Sequence, residues 1–148
     1  MKPVLLNNDT NIAIPDIAQF DQWVEQVIDY HGKFFQISIQ IVDKEDSQQL
    51  NNTYRAQDKP TNVLSFALDL PAVVKEDLIG DLAICAEIVT QEAQQQQKPL
   101  NHHWAHLTIH GVLHLLGYDH IDDSEAEEME SLEIKLLAKL DIANPYEV

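Results

Sequence analysis

The order of hydrophobic patterns predicts an α+β fold, a small mixed sheet of about four strands packed with about five helices. In the first half of the chain, period-two segments alternate with segments of helical period; from residue 85 onward only the helical period remains. The composition agrees: 148 residues, 45% hydrophobic and 23% charged, with four Gly and six Pro, suit a single packed domain over 1–148. A chain of this size hides roughly 70% of its unfolded surface on folding. Cys85 is the single cysteine, so neither a disulfide framework nor a multi-cysteine zinc site is available.

Each element has a local reason. Val4-Leu5-Leu6 is a short strand candidate. After Pro15-Asp16, the residues Ile17, Phe20, Val24, Val27 and Ile28 recur at helical spacing, and Gly32 ends that helix. Ile37, Ile39 and Ile41 alternate with Ser38 and Gln40, which predicts a half-buried strand. Residues 45–58 are polar, with Leu50 and Tyr54 four apart, and predict a short surface helix. Residues 63–67 and 78–84 predict two more strands, joined by an excursion that carries Pro71. Ile84, Ile88 and Val89 open a helix that runs out as a solvated end in Gln94 to Gln97, Lys98 and Pro99. Residues 102–116 are apolar on most sides and stop at Gly117, so this helix is central. Ser124 and Glu127 predict a capping box for a last helix whose Met129, Leu132, Leu136, Leu137 and Leu140 face inward. No linker or repeat interrupts the pattern.

Charge narrows the function classes. Nine basic and 25 acidic residues give −16 and a pI near 4.5. Residues 76–148 hold fifteen of the acidic residues and three of the basic ones. Such a field repels polyanions and argues against tight, nonspecific binding to duplex DNA. Residues 119–133 contain eight Asp or Glu and no Lys or Arg, read as a solvated helix face. The basic inventory is eight Lys and one Arg, Arg55. No apolar run reaches the length of a membrane span, no signal peptide is expected, and a reducing, cytoplasmic setting fits the lone cysteine.

Six of the seven histidines lie between positions 102 and 120. His110 and His114 stand four apart on one helix and share a face. Gly117 can take a left-handed conformation, so the chain can turn and return His120 to the same point. Three neutral imidazoles with an open position form a catalytic type of zinc site, placed here at the end of the central helix. His102 and His103 read as helix-start surface residues. His106, one turn before His110, and Asp119, beside His120, are candidates for supporting the ligands. The spacing overlaps the zinc-protease motif H-E-x-x-H-x-x-G-x-x-H, but the place of its general base is taken by Gly111.

The segment His110-Gly111-Val112-Leu113-His114-Leu115-Leu116-Gly117-Tyr118-Asp119-His120 resembles the signature of the bacterial YbeY family of metal-dependent endoribonucleases. Leu50-Asn51-Asn52-Thr53-Tyr54-Arg55, Lys59-Pro60-Thr61-Asn62-Val63-Leu64-Ser65-Phe66, Gly80-Asp81 and Met129-Glu130 are similar to it as well. The resemblance implies hydrolysis of single-stranded RNA in small-subunit ribosomal RNA processing and ribosome quality control. A water activated by the metal, or the RNA 2′-hydroxyl, would attack the phosphodiester. It implies His110, His114 and His120 as ligands of one Zn²⁺ per chain, with other divalent metals compatible. It implies Arg55 and His114 as catalytic residues and a ribosomal subunit or processing factor as partner. Arg55, Lys59 and Ser65 are expected at the substrate, with Asn62 and Asp81 as further candidates for the cleft. Arg55 suits two phosphate oxygens because its guanidinium is a planar, permanently charged fork. The competing readings are a protease-like hydrolase of another substrate and a non-catalytic assembly factor with structural zinc.

Overall fold

The computed structural model describes residues 2–68, 77–119 and 121–147. In chain order the elements are β1 (Val4–Asn8), α1 (Ile17–His31), β2 (Gln36–Val42), α2 (Lys44–Arg55), β3 (Val63–Ala67), β4 (Leu78–Cys85), α3 (Ala86–Gln95), α4 (Leu100–Leu115) and α5 (Asp123–Ala138). The strands form one sheet in the order β1-β2-β4-β3. β1, β2 and β4 run parallel, and β3 returns antiparallel along β4 as an edge. This is the α+β mixed sheet expected. Pro71 and the excursion between β3 and β4 fall outside the described residues.

The sheet's inner face carries Ile37, Ile39 and Ile41 of β2 and Leu82 and Ile84 of β4, all buried. Against it lie Phe20, Val24 and Val27 of α1 and Trp104, Ile109, Val112 and Leu113 of α4. Trp104 meets Phe20 edge to face, their centroids 5.7 Å apart. Helix α4 is the central helix its all-round apolar pattern implied. Two glycines let backbone and helix come close. A Cβ on Gly80 would stand 2.6 Å from both Leu115 Cδ2 and the Phe66 carbonyl oxygen. A Cβ on Gly111 would stand 2.9 Å from Leu82 Cδ2 and 3.3 Å from Val63 Cγ2.

Four local expectations need correction. Ile84 belongs to β4, whose partner along β2 is Ile41, and α3 starts only at Ala86. The last helix starts at Asp123 and is capped by Asp122, whose side chain accepts the Glu125 N–H at 2.7 Å. An Asp caps as well as a Ser, and the earlier cap brings Asp123 and Ser124 into the helix. Helix α2 ends at Arg55, because Ala56 turns left-handed there. Its buried residues are Ser47 and Asn51, while Tyr54 is exposed. Ser47 Oγ donates to the Thr61 carbonyl at 2.8 Å and accepts the Thr61 N–H at 2.9 Å. Asn51 Nδ2 donates to the Lys59 carbonyl at 2.9 Å. Polar side chains therefore clamp the loop after α2 and set where Arg55 stands.

Candidate metal centre

The C-terminal end of α4 builds the site. Gly117, at φ +101°, takes the left-handed conformation that ends the helix. Its N–H bonds the His114 carbonyl at 3.0 Å and the Tyr118 N–H bonds the Leu113 carbonyl at 3.0 Å, the paired closure of a Schellman turn. The bend brings the Tyr118 carbonyl to 3.1 Å from His114 Nδ1. A carbonyl oxygen only accepts, so His114 Nδ1 is the donor and the neutral ring keeps its lone pair on Nε2.

His110 is fixed in the same way from the other side. Its Nδ1 lies 3.0 Å from Glu133 Oε1 on α5, and Glu133 is fully buried. Burial pushes the Glu133 carboxyl up, but hydrogen bonds from His106 and His110 outweigh it and bring it down to about 2. The carboxylate is thus ionised and accepts the His110 Nδ1–H, which in the neutral ring puts the lone pair on Nε2. The two Nε2 atoms stand 3.1 Å apart. A proton shared between the rings accounts for that distance, and two neutral rings in these tautomers offer both lone pairs to one point, so this donor set fits a divalent metal.

His106 Nε2 also reaches Glu133 Oε1, at 2.9 Å, and the Tyr146 hydroxyl lies 3.0 Å from each Glu133 oxygen. Burial holds the His106 ring below its ordinary pKa, so it is neutral and donates through Nε2. Its Nδ1, buried and with no hydrogen-bond partner among the described residues, is then the acceptor side of the ring. His106, His110 and Glu133 each place a ligand atom within 4.8 Å of the others, a second grouping that could hold an ion.

The His110 and His114 rings face a cavity of about 510 Å³ whose other walls include Arg55, Asn62, Ser65, Leu115 and Asp119. Arg55 Nη2 donates to the Ser65 carbonyl at 2.8 Å and Nη1 to the Tyr54 carbonyl at 3.1 Å. The guanidinium also sits 5.5 Å from the centroid of the Phe66 ring. Ser65 Oγ donates to the Gly111 carbonyl at 3.0 Å, tying β3 to α4. Of the expected site residues, His110, His114, Arg55, Ser65, Asn62 and Asp119 line this cavity, whereas Lys59 and Asp81 do not. His120 lies outside the described residues.

Two readings of histidine and glutamate change. His103 is buried on α4 rather than solvated, with Nε2 3.0 Å from Glu92 Oε1. Burial raises the Glu92 carboxyl, but hydrogen bonds from His103 and Asn62 bring it below its ordinary value. Glu133, placed by its acidic neighbours on a solvated face, is instead the most enclosed charge at the site. The signal was present: Glu133 lies four residues after Met129 and three before Leu136, on the stripe that faces inward.

A family profile for "Endoribonuclease YbeY" matches residues 5–141, which contain α2, both histidines of the helix and Glu133. The chain belongs to the YbeY endoribonuclease family. The solution structure of TM1509 from Thermotoga maritima has the same fold, with a TM-score of 0.63 over 98% of this chain and 99% of that one. Identity between the two is 22%. Against the YbeY background, the geometry at Gly111 separates this site from the zinc proteases it resembles in spacing. The position of their general base is Gly111, which packs closely on Leu82 and Val63 and carries no side chain.

Proposed function

We propose that this chain is a metal-dependent endoribonuclease that cuts single-stranded RNA, acting in small-subunit ribosomal RNA maturation and ribosome quality control in the cytoplasm, alongside a ribosomal subunit or a processing factor. The observation that carries the reading is the pair of imidazole Nε2 atoms, 3.1 Å apart, in the cavity that also holds the chain's single arginine. His110 and His114, with His120 as third ligand, would hold one ion. Zinc is the first choice for three imidazoles, and other divalent ions of the same series are compatible. When bound, such an ion supplies a Lewis acid that polarises a phosphodiester oxygen and makes water acidic enough to yield hydroxide near neutral pH.

The protein's own groups do the rest. Arg55 is held by two backbone carbonyls, so its remaining N–H donors are aimed before substrate arrives. They neutralise charge that builds on the phosphate oxygens. The Phe66 ring supports the guanidinium plane, and Ser65 fixes the strand edge that forms one wall. Asp119 sits in the same cavity, where a carboxylate can accept a proton or orient a neighbour. A single domain over 1–148 carries all of these groups.

The test pairs elemental analysis with cleavage of single-stranded RNA, casein being the control substrate. Wild type is expected to carry about one equivalent of metal and to cut RNA alone. His114→Ala should lose the metal, whereas Arg55→Ala should keep it and cut about 100-fold more slowly, the usual effect of removing one transition-state donor. Undiminished cleavage by Arg55→Ala, or cleavage of casein, would overturn the proposal.

A further inference from the structure

We infer that Glu133 is a positioning residue for the metal centre and that Tyr146 locks it in place, a conclusion that rests on the metal reading above. Glu133 is an anomaly on its own helix. Its inward-facing companions on α5 are Met129, Leu132, Leu136 and Leu137, and among them stands a carboxylate with no exposed surface. An apolar side chain of similar volume there would avoid the desolvation of a charge and would commonly be neutral or stabilising. Packing alone therefore gives no reason for a glutamate.

Its contacts give one. Oε1 takes the His106 and His110 rings at 2.9 and 3.0 Å, and the Tyr146 hydroxyl spans both oxygens at 3.0 Å. One of those rings is a proposed ligand and the other is not. By accepting the Nδ1–H of His110, Glu133 selects the tautomer whose Nε2 carries the lone pair, turns that lone pair toward His114, and raises its basicity. His106 shares Oε1 from one turn earlier on α4, and together with His110 stops the carboxylate from rotating away. Tyr146 closes the other side from the C-terminal segment, where its own N–H bonds Asn144 Oδ1 at 2.8 Å and Lys98 Nζ bonds the Pro145 carbonyl at 2.6 Å. The grouping of His106, His110 and Glu133 is thus a buttress behind the centre and not a second ion site.

The test reads the tautomer and the affinity separately. Nitrogen-15 NMR of the histidine rings in zinc-free protein should find the His110 proton on Nδ1. Competition with a chromophoric chelator should show Glu133→Leu binding Zn²⁺ roughly 10- to 100-fold more weakly than wild type. Glu133→Gln, whose amide oxygen still accepts, should keep the tautomer and lose less, and Tyr146→Phe should also lose affinity while folding normally. Circular dichroism checks the fold of each variant; if Glu133→Leu does not fold, the other two variants and the wild-type tautomer decide. A His110 proton found on Nε2, or folded Glu133→Leu or Tyr146→Phe binding Zn²⁺ within twofold of wild type, overturns the positioning role alone. A wild-type protein that takes up no Zn²⁺ or other divalent ion overturns the metal reading and this inference with it.

Discussion

At the scale of single residues, Gly111 and Glu133 each carry a measurable consequence. Gly111→Ala would drive a methyl into Leu82 and Val63, and overpacking of that kind costs roughly 1–3 kcal/mol. Thermal denaturation should register the loss, with Gly111→Glu failing to fold. Glu133 adds a pH dependence whose direction is set by its lowered pKa. A carboxyl brought down from 4.5 to about 2 in the folded chain contributes stability that is complete above 4.5. That contribution fades as pH falls from 4.5 toward 2 and the group protonates. Denaturation of metal-free protein should therefore show the gap between wild type and Glu133→Gln narrowing over that range. The i, i+4 histidines were legible in the sequence because helical spacing alone puts them on one face. The inward place of Glu133 on the Met129–Leu136 stripe was hidden by the seven other acidic residues from 119 to 130, since a solvated face is the ordinary home of such a run.

At the scale of elements, the helices and strands followed from hydrophobic period, and their ends did not. Gly32 and Gly117 stop α1 and α4 as expected, since both adopt positive φ. The start of α5 was misjudged because Asp122 and Ser124 are both good caps two residues apart, and only the Asp122 bond to Glu125 N–H separates them. Helix α2 carries the larger lesson. Its sequence looks like a surface helix anchored by Leu50 and Tyr54, yet Ser47 and Asn51 hold it by bonding a loop that hydrophobic patterns cannot predict. Asn51→Ala would remove the hydrogen bond to the Lys59 carbonyl, a loss of about 0.5–1.5 kcal/mol. Denaturant unfolding should show it. RNA cleavage should fall further than the loss of stability explains, because the clamp sets the position of Arg55, while metal content stays at the wild-type level.

At the scale of the whole molecule, a net charge of −16 coexists with a cavity that holds one guanidinium. Affinity for RNA should then depend on salt through very few phosphates. A plot of log affinity against log salt concentration is expected to have a slope shallower than about −2, against about −0.7 per neutralised phosphate for single strands. A slope near −6 would require a basic surface that the composition does not supply. The resemblance in the histidine segment and around Arg55 pointed to one cavity although those stretches lie far apart in the chain. The sequence could not show that β3 lies antiparallel at the sheet's edge and carries Ser65 to Gly111. That division of the cavity between two distant stretches also has a temporal side. Arg55 and β3 leave the ribosome's exit tunnel well before the imidazoles, and the Glu133 buttress and Tyr146 emerge later still. A nuclease directed at ribosomal RNA would thus leave its own target with the basic wall of the cavity made first and the metal-holding side still to come.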